Sequence, residues 1–366
     1  MFSEFRLEAP KRILLFMTHA NPNQTAHKPT ALIVGATGGV GSETARALLE
    51  NGWRVRALHR DPARAQQAFA ELGAVEWVAG DAMNAADVVA AAAGVSVVVH
   101  AANPPGYRNW RGLALPMLES SIAAAKAAGA RLVLPGTVYN FGPDAPAVID
   151  ESVPQRPVTR KGKIRVAMEQ RLQQAARDGV PVLVVRAGDF FGPRASGNSW
   201  FSQGLVKPGR PLRSVTYPGK HDASHAWAYL PDLATTIVRL LERATELGPF
   251  EVFHFAGHGM LRGVELARAT RDAAGLPGAP IRRFPWFVIY LLAPFVETFR
   301  EMLEMRYLWT RSLLLDNRKL VAFLGQEPHT PLDQALRATL SGLGCAPAPA
   351  PATPRAAALA SHPSSI

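Results

Sequence analysis

Between Ala31 and Gly52 the chain sets a strand, a glycine turn and a helix end to end. Ala31-Leu32-Ile33-Val34 is an unbroken apolar run into Gly35, and glycines recur at Gly38 and Gly41. A helical pattern follows from Ser42 and stops at Asn51-Gly52, a pair suited to a helix C-terminus. Gly35 permits a tight turn, Gly38 lets backbone approach a pyrophosphate, and Gly41 lets the helix pack on the strand. Unpaired N–H groups and the positive end of the helix dipole face the same point, so the turn suits an anion. The pattern predicts a dinucleotide site at Gly35, Thr37, Gly38, Gly39, Val40 and Gly41. The competing reading is a loop whose glycines serve packing alone. The strand before the turn and the helix after it favour the first.

The second strand bears on which dinucleotide. Trp53 to Arg60 alternates and ends about 20 residues past the glycines, where an NAD site places an acid on the ribose 2′-hydroxyl. His59 and Arg60 stand there instead. An arginine fork suits a 2′-phosphate, because it donates two charge-assisted hydrogen bonds. Asp61-Pro62 reads as a helix N-cap with proline in the first turn. The expected cofactor is therefore NADP, with NAD left open. The alternative is that Arg60 is a solvated surface residue.

Downstream, strands and helices alternate. Val75–Ala79 is a third strand, ending at Gly80-Asp81, where Asp81 serves either the adenine amino group or a turn. Val95–His100 is an apolar fourth strand, opening into Ala101 and Ala102, small enough for a ribose to lie against the backbone. Arg131–Pro135 is the fifth strand, leading to Thr137 and Tyr139, and Val180–Arg186 is the sixth. This alternation implies an α/β fold with a doubly wound parallel sheet. In such sheets chemistry sits beyond the carboxyl ends of the strands, which is where Thr137 and Tyr139 fall.

The formal charge of +11 is spread rather than clustered, which favours an anionic cofactor or substrate and argues against nucleic acid. Cys345, the one cysteine, is assigned to a tail, so there is no disulfide framework, and a cytoplasmic setting is expected. No acid or cysteine joins the histidines at ligand spacing, so no metal is expected. Lys11–Met17 has the order of a signal peptide with too short an apolar run, and Met17 is an alternative start. Residues 1–28 are expected to be a disordered leader, and 346–366, rich in Pro, Ala and Ser, a disordered tail. His225, Trp227 and Tyr229 share one strand face, read as core before pocket. Phe284–Val296 is strongly apolar but too short and proline-broken to span a bilayer. A lobe helix, a homodimer face and a substrate channel all stay open for it.

The glycine turn, Gly80-Asp81, His100-Ala101-Ala102, the strand into Thr137 and Arg186–Pro193 together resemble the extended short-chain dehydrogenase/reductase family. Ala228–Ala234, Leu315–Gly325 and Pro328–Asp333 resemble its later segments, so the likeness runs from residue 30 to about 343. The resemblance implies NAD(P) on a Rossmann lobe over 29–195, with 222–256 returning to it. It also implies a smaller substrate lobe from 196–221 and 257–345. Members include oxidoreductases and nucleotide-sugar epimerases and dehydratases. Their chemistry uses a Ser or Thr on the fifth strand, matched by Thr137, and a Tyr-x-x-x-Lys pair on the next helix. Here that pair is missing, and Lys161 and Arg165 occupy its positions.

The departure has chemical weight. Arginine stays charged, so Arg165 can hold a ribose or stabilise negative charge but cannot trade protons. Lys161 can trade them only with a depressed pKa, through burial or neighbouring cations. Three readings follow. One is an NAD(P)-dependent oxidoreductase acting on a carbonyl or alcohol of a small molecule, with Thr137, Lys161 and Arg165 as catalytic candidates. Another is a nucleotide-sugar epimerase or dehydratase, and the third a non-catalytic NADP sensor. Against all three stands the plain alternative that the basic run on this helix is simply solvated.

Overall fold

The computed structural model describes residues 28–104, 109–195 and 199–345. In chain order its strands are β1 (Thr30–Val34), β2 (Arg54–His59), β3 (Val75–Ala79), β4 (Val97–His100) and β5 (Arg131–Thr137). Then come β6 (Val148–Ile149), β7 (Val182–Ala187), β8 (Asp189–Phe191), β9 (Val215–Tyr217) and β10 (His225–Tyr229). The last are β11 (Phe250–His254), β12 (His258–Met260), β13 (Ile281–Arg283) and β14 (Leu314–Leu315). Seven of them form one sheet in the order β11-β7-β5-β4-β1-β2-β3, with every neighbouring pair parallel. The chain steps one way from β1 to β3 and the other way from β4 onward, so the winding reverses between β1 and β4. That reversal opens a crevice at the carboxyl ends of these two strands. It is the fold expected from the alternation of segments.

Both sheet faces are covered, which is why β1, β4 and β7 read as continuous apolar runs. Helices α1 (Gly39–Glu50) and α6 (Leu230–Glu242) cover one face, burying Leu48, Leu233 and Ile237 against Ile33 and Val99. Between them in sequence lie α2 (Pro62–Ala68), α3 (Ala85–Ala91), α4 (Trp110–Ala128) and α5 (Arg160–Arg177). Helices α3, α4 and α5 cover the other face, burying Val88, Leu118 and Leu172 against Leu32 and Val98. Helix α1 starts three residues earlier than the apolar periodicity indicates, with Gly38 as its N-cap. Its first turn is Gly39-Val40-Gly41, which propensity alone does not mark as helical. Asp61 caps α2 by accepting the Arg64 N–H at 3.1 Å, as its place before Pro62 leads one to expect.

A second cluster of elements stands over the carboxyl ends of the sheet. Strands β12, β10 and β8 form a three-stranded sheet, and β13-β9 and β14-β6 form two short pairs. Around them lie α7 (Val264–Ala273), α8 (Trp286–Leu292), α9 (Glu297–Glu304), α10 (Arg318–Leu324) and α11 (Leu332–Gly342). Trp227, Trp309, Phe191, Phe201 and Leu336 form its core, so Trp227 and Tyr229 are packing residues. Phe287, Leu291 and Phe295, in and just after α8, face solvent at 75%, 71% and 84% exposure. Cys345 does not belong to a tail. It is fully buried, with its N–H on the Leu340 carbonyl at 2.7 Å. Of the expected leader 1–28, all but Lys28 lies outside the described residues, as does the whole tail 346–366. Among the described residues no helix is long and apolar enough to cross a membrane, and no cluster of side chains could hold a metal.

Candidate functional site

A cavity of about 500 Å3 occupies the crevice between β1 and β4 and extends over the ends of β5 and β7. Gly35, Thr37, Gly38, Gly39 and Val40 line it, as do His100, Ala101, Ala102, Thr137, Tyr139, Arg165 and Asp189. Gly35 has φ +95°, and a Cβ there would lie 2.6 Å from the Ala102 nitrogen, so only glycine brings β1 and β4 together. A Cβ on Gly41 would meet the Gly35 carbonyl at 2.2 Å, which explains its packing role. Gly38 differs: a side chain there would meet only the Gly35 carbonyl, at 3.4 Å, and otherwise open space. That opening leaves backbone bare for a ligand. No side chain caps the start of α1 and no acid sits in its first turn, so its N–H groups and dipole present a positive end. These features fit the pyrophosphate of a dinucleotide.

The remaining cofactor candidates fall outside the cavity wall. Arg60 is exposed, without an ion pair or hydrogen bond among the described residues, at the C-terminal end of β2. His59 lies edge-on to Trp77, and the Asp61 N–H donates to its Nδ1 at 3.0 Å. Asp81 accepts the Met83 N–H at 2.9 Å, a turn contact that occupies one of its oxygens.

Thr137 ends β5 and is buried, and its Oγ1 accepts the Tyr139 N–H at 3.3 Å. The hydroxyl proton is therefore available to a group in the cavity. Tyr139, on the short turn after β5, is half-buried in the same wall. Arg165 enters from α5. Its guanidinium donates to Asn103 Oδ1 at 3.1 Å and lies 5.2 Å from the Trp110 ring centre. It also helps push the neighbouring His100 down to about 3, behind the larger effect of burial. His100 is thus a neutral imidazole, with Nδ1 on Ser121 Oγ at 2.8 Å.

Lys161 is not brought to the cavity wall with Thr137 and Arg165. It is fully buried, and its ammonium ion-pairs with Glu301 of α9. Burial pushes its pKa down, and Glu301 opposes that shift. Lys163 is exposed. Behind the cavity, Arg186 of β7 forks onto Glu169 of α5 at 3.0 and 2.6 Å, and Asn140 and Gln155 donate to the same carboxylate. This network fixes the helix that carries Arg165. The reading of the sequence missed Asn103, Trp110, Asp189 and Glu301, whose partners lie far away along the chain.

With this geometry in view, likeness to known proteins is informative. The model of the NAD dependent epimerase/dehydratase family matches residues 31–256. The chain is 26% identical over 249 residues to an NAD(P)H azoreductase of Xenophilus azovorans, covering 67% of this chain and 74% of that protein. It is 30% identical over 177 residues to a 3-diazoavenalumate denitrifying reductase of a Streptomyces species, covering 44% and 56% respectively. Similar solved structures include UDP-glucose-4-epimerase from Stenotrophomonas maltophila, with TM-score 0.67 and 18% identity over 86% of this chain and 98% of that one. UDP-glucose 4-epimerase from Bifidobacterium longum gives 0.63 and 17%, over 86% and 97%. At such identity the likeness is one of fold.

Proposed function

Because the chain belongs to the NAD-dependent epimerase/dehydratase family, we propose that it is an oxidoreductase that uses NADP(H) and a small, largely apolar substrate. Bound nicotinamide supplies or accepts a hydride. The protein orients that exchange and stabilises the charge it creates, and a water molecule supplies or takes up the accompanying proton. The reading rests chiefly on Thr137 and Arg165 meeting in one cavity that ends on the glycine turn.

The Thr137 hydroxyl donates to the substrate oxygen or nitrogen that gains charge, while its own oxygen is held by the Tyr139 N–H. Arg165, anchored by Asn103 and stacked near Trp110, adds a fixed positive charge on the same side. Val138, Phe190 and Trp110 line the remaining wall beside the polar Ser199 and Gln203, and these three apolar groups suit a ring. The names of the two curated relatives, an azoreductase and a denitrifying reductase of a diazo compound, extend the candidate substrates from carbonyls to azo and diazo compounds. Lys161 and Arg165 at the positions of the family's Tyr/Lys pair weigh against epimerase chemistry, which cycles a proton at that tyrosine.

The test has two stages. Calorimetric titration with NADPH asks for cofactor binding, and a panel of ketones, aldehydes, azo compounds and UDP-sugars asks for turnover. Reduction of an apolar carbonyl or azo compound supports the proposal. Tight NADPH binding with no turnover across the panel replaces it with a cofactor sensor, and turnover of UDP-sugars alone replaces it with an epimerase.

A further inference from the structure

One carboxylate in the cavity takes no part in that scheme. Asp189 opens β8, two residues past the end of β7, and β7 pairs Ala187 with Thr137 of β5. Its Oδ2 lies 2.8 Å from Nε2 of His225, and both residues are buried. Nδ1 of His225 lies 3.2 Å from the Leu308 carbonyl, and the ring stacks on Trp309 at 4.2 Å and 13°. The imidazole is therefore fixed in position. Asp189 makes no other hydrogen bond among the described residues, and it lines the cavity.

Counting protons defines what this pair presents. A carbonyl oxygen only accepts, so Nδ1 of His225 carries a proton. A second proton must then lie between Nε2 and Oδ2, because two lone pairs do not meet at that distance in a buried site. The pair is either imidazolium with carboxylate or neutral imidazole with carboxylic acid. In both forms the second oxygen of Asp189 carries no proton and only accepts. Burial first, and Asp189 second, push the phenols of Tyr217 and Tyr307 up.

We propose that Asp189, locked by His225, is a substrate-recognition acceptor that selects molecules bearing a hydroxyl or amino donor. The inference rests on the function proposed above and narrows its substrate class. The cavity is polarised: Thr137 and Arg165 donate from the β5 and α5 side, and Asp189 accepts from the β8 side. The substrate is an apolar, ring-sized molecule with an acceptor at one end, a carbonyl or azo group, and an uncharged or cationic donor at the other. An anionic group at that second end brings only acceptors to an acceptor oxygen and is disfavoured.

The probes are para-hydroxyacetophenone, para-aminoacetophenone, para-methoxyacetophenone and para-acetylbenzoate, which share a carbonyl and differ in the opposite group. Binding is read by ligand-observed NMR with the NADPH-loaded protein, so no turnover is needed. The hydroxyl and amino probes are expected to bind about tenfold or more tighter than the ether and the carboxylate. Asp189→Leu should erase that preference while leaving NADPH affinity unchanged. Asp189→Asn, which can donate to His225 and keep an acceptor in the cavity, should retain it. Equal binding of the four probes by the wild type overturns the proposal with no variant needed, as does a preference that survives Asp189→Leu. Failure to bind NADPH at all is a separate result that removes the function proposed above instead.

Discussion

Lys161 of α5 and Glu301 of α9 are ion-paired inside the protein, 140 residues apart along the chain. The lysine side chain is 1% exposed and the glutamate 9%. Arg160 reaches the other oxygen of the same carboxylate at 2.8 Å, and its own side chain is mostly exposed. The three groups clamp the start of the helix that carries Arg165 to α9. A buried charge left without its partner is costly, whereas a buried pair taken out together is often nearly neutral.

Lys161→Met should therefore destabilise the protein by about 3 kcal/mol, near the lower end for a broken buried pair because Arg160 remains. Adding Glu301→Gln should recover most of that loss, as read by urea denaturation. The recovered double variant also separates two roles for Lys161. Turnover that returns with stability makes it a positioning residue, as its place off the cavity wall requires, and turnover that stays lost in a stable double variant overturns that role.

Cofactor choice should follow Arg60. It is exposed beside the end of β2 and unengaged among the described residues, so a 2′-phosphate there meets a guanidinium that none of their carboxylates holds. NADP(H) should bind more tightly than NAD(H), and Arg60→Ala should cost NADP(H) about 1.5–3 kcal/mol while leaving NAD(H) nearly unchanged. Calorimetry with both cofactors decides it, and equal wild-type affinities would remove the argument.

Thr137→Val keeps the shape of a side chain that is only 8% exposed while deleting the hydroxyl. The loss should fall on kcat, by roughly 10²-fold for a lost donor to developing charge, with NADPH affinity intact. Steady-state kinetics and cofactor titration on the same preparation check this. An unchanged kcat points to Tyr139, two residues further along the same wall.

Acid should destabilise the fold well above the carboxylate range. His100 is pushed down to about 3, and His254 and His258 to about 4, each by burial first. Arg165, Arg186 and His329 respectively add to those shifts. An unfolded histidine takes up its proton near 6.5, so below that pH the unfolded chain binds more protons than the folded one. Stability should fall as pH drops from about 6.5 toward 4, by about 1.4 kcal/mol per pH unit for each histidine at full effect. Glu327, its carboxyl pushed up by burial, works the other way, but it is one group against three. Urea midpoints at pH 7.5, 6 and 5 measure the slope. A midpoint that does not move over that range refutes it.

Much of this was legible along the chain, for a physical reason. Strand, glycine turn and helix are local devices, and Gly35, Gly38 and Gly41 fall within seven residues of one another. Alternating apolar segments specify a parallel sheet covered on both faces, since only strands buried on both sides read as Val97–His100 does. The three-residue error at the start of α1 has the same origin. Gly39 and Gly41 carry no helical signal, and tertiary packing of Gly41 on Gly35 decides the first turn.

What the sequence determined alone was therefore the fold, the glycine turn and the place of Thr137 at the end of a central strand. Only the tertiary structure decided which charges face the cavity. Lys161 and Arg165 sit one helical turn apart on α5. Yet Glu301 claims the first inside the protein, and Asn103 and Trp110 hold the second at the cavity wall. His225 and Asp189, 36 residues apart, become a pair only because β8 and β10 lie side by side. Cys345, at the edge of an unpatterned tail, is buried because Leu340 and Lys207 lie beside it. Periodicity reports which face of an element is apolar. The partner a buried charge finds depends on long-range packing, and that information exists only once the chain has closed on itself.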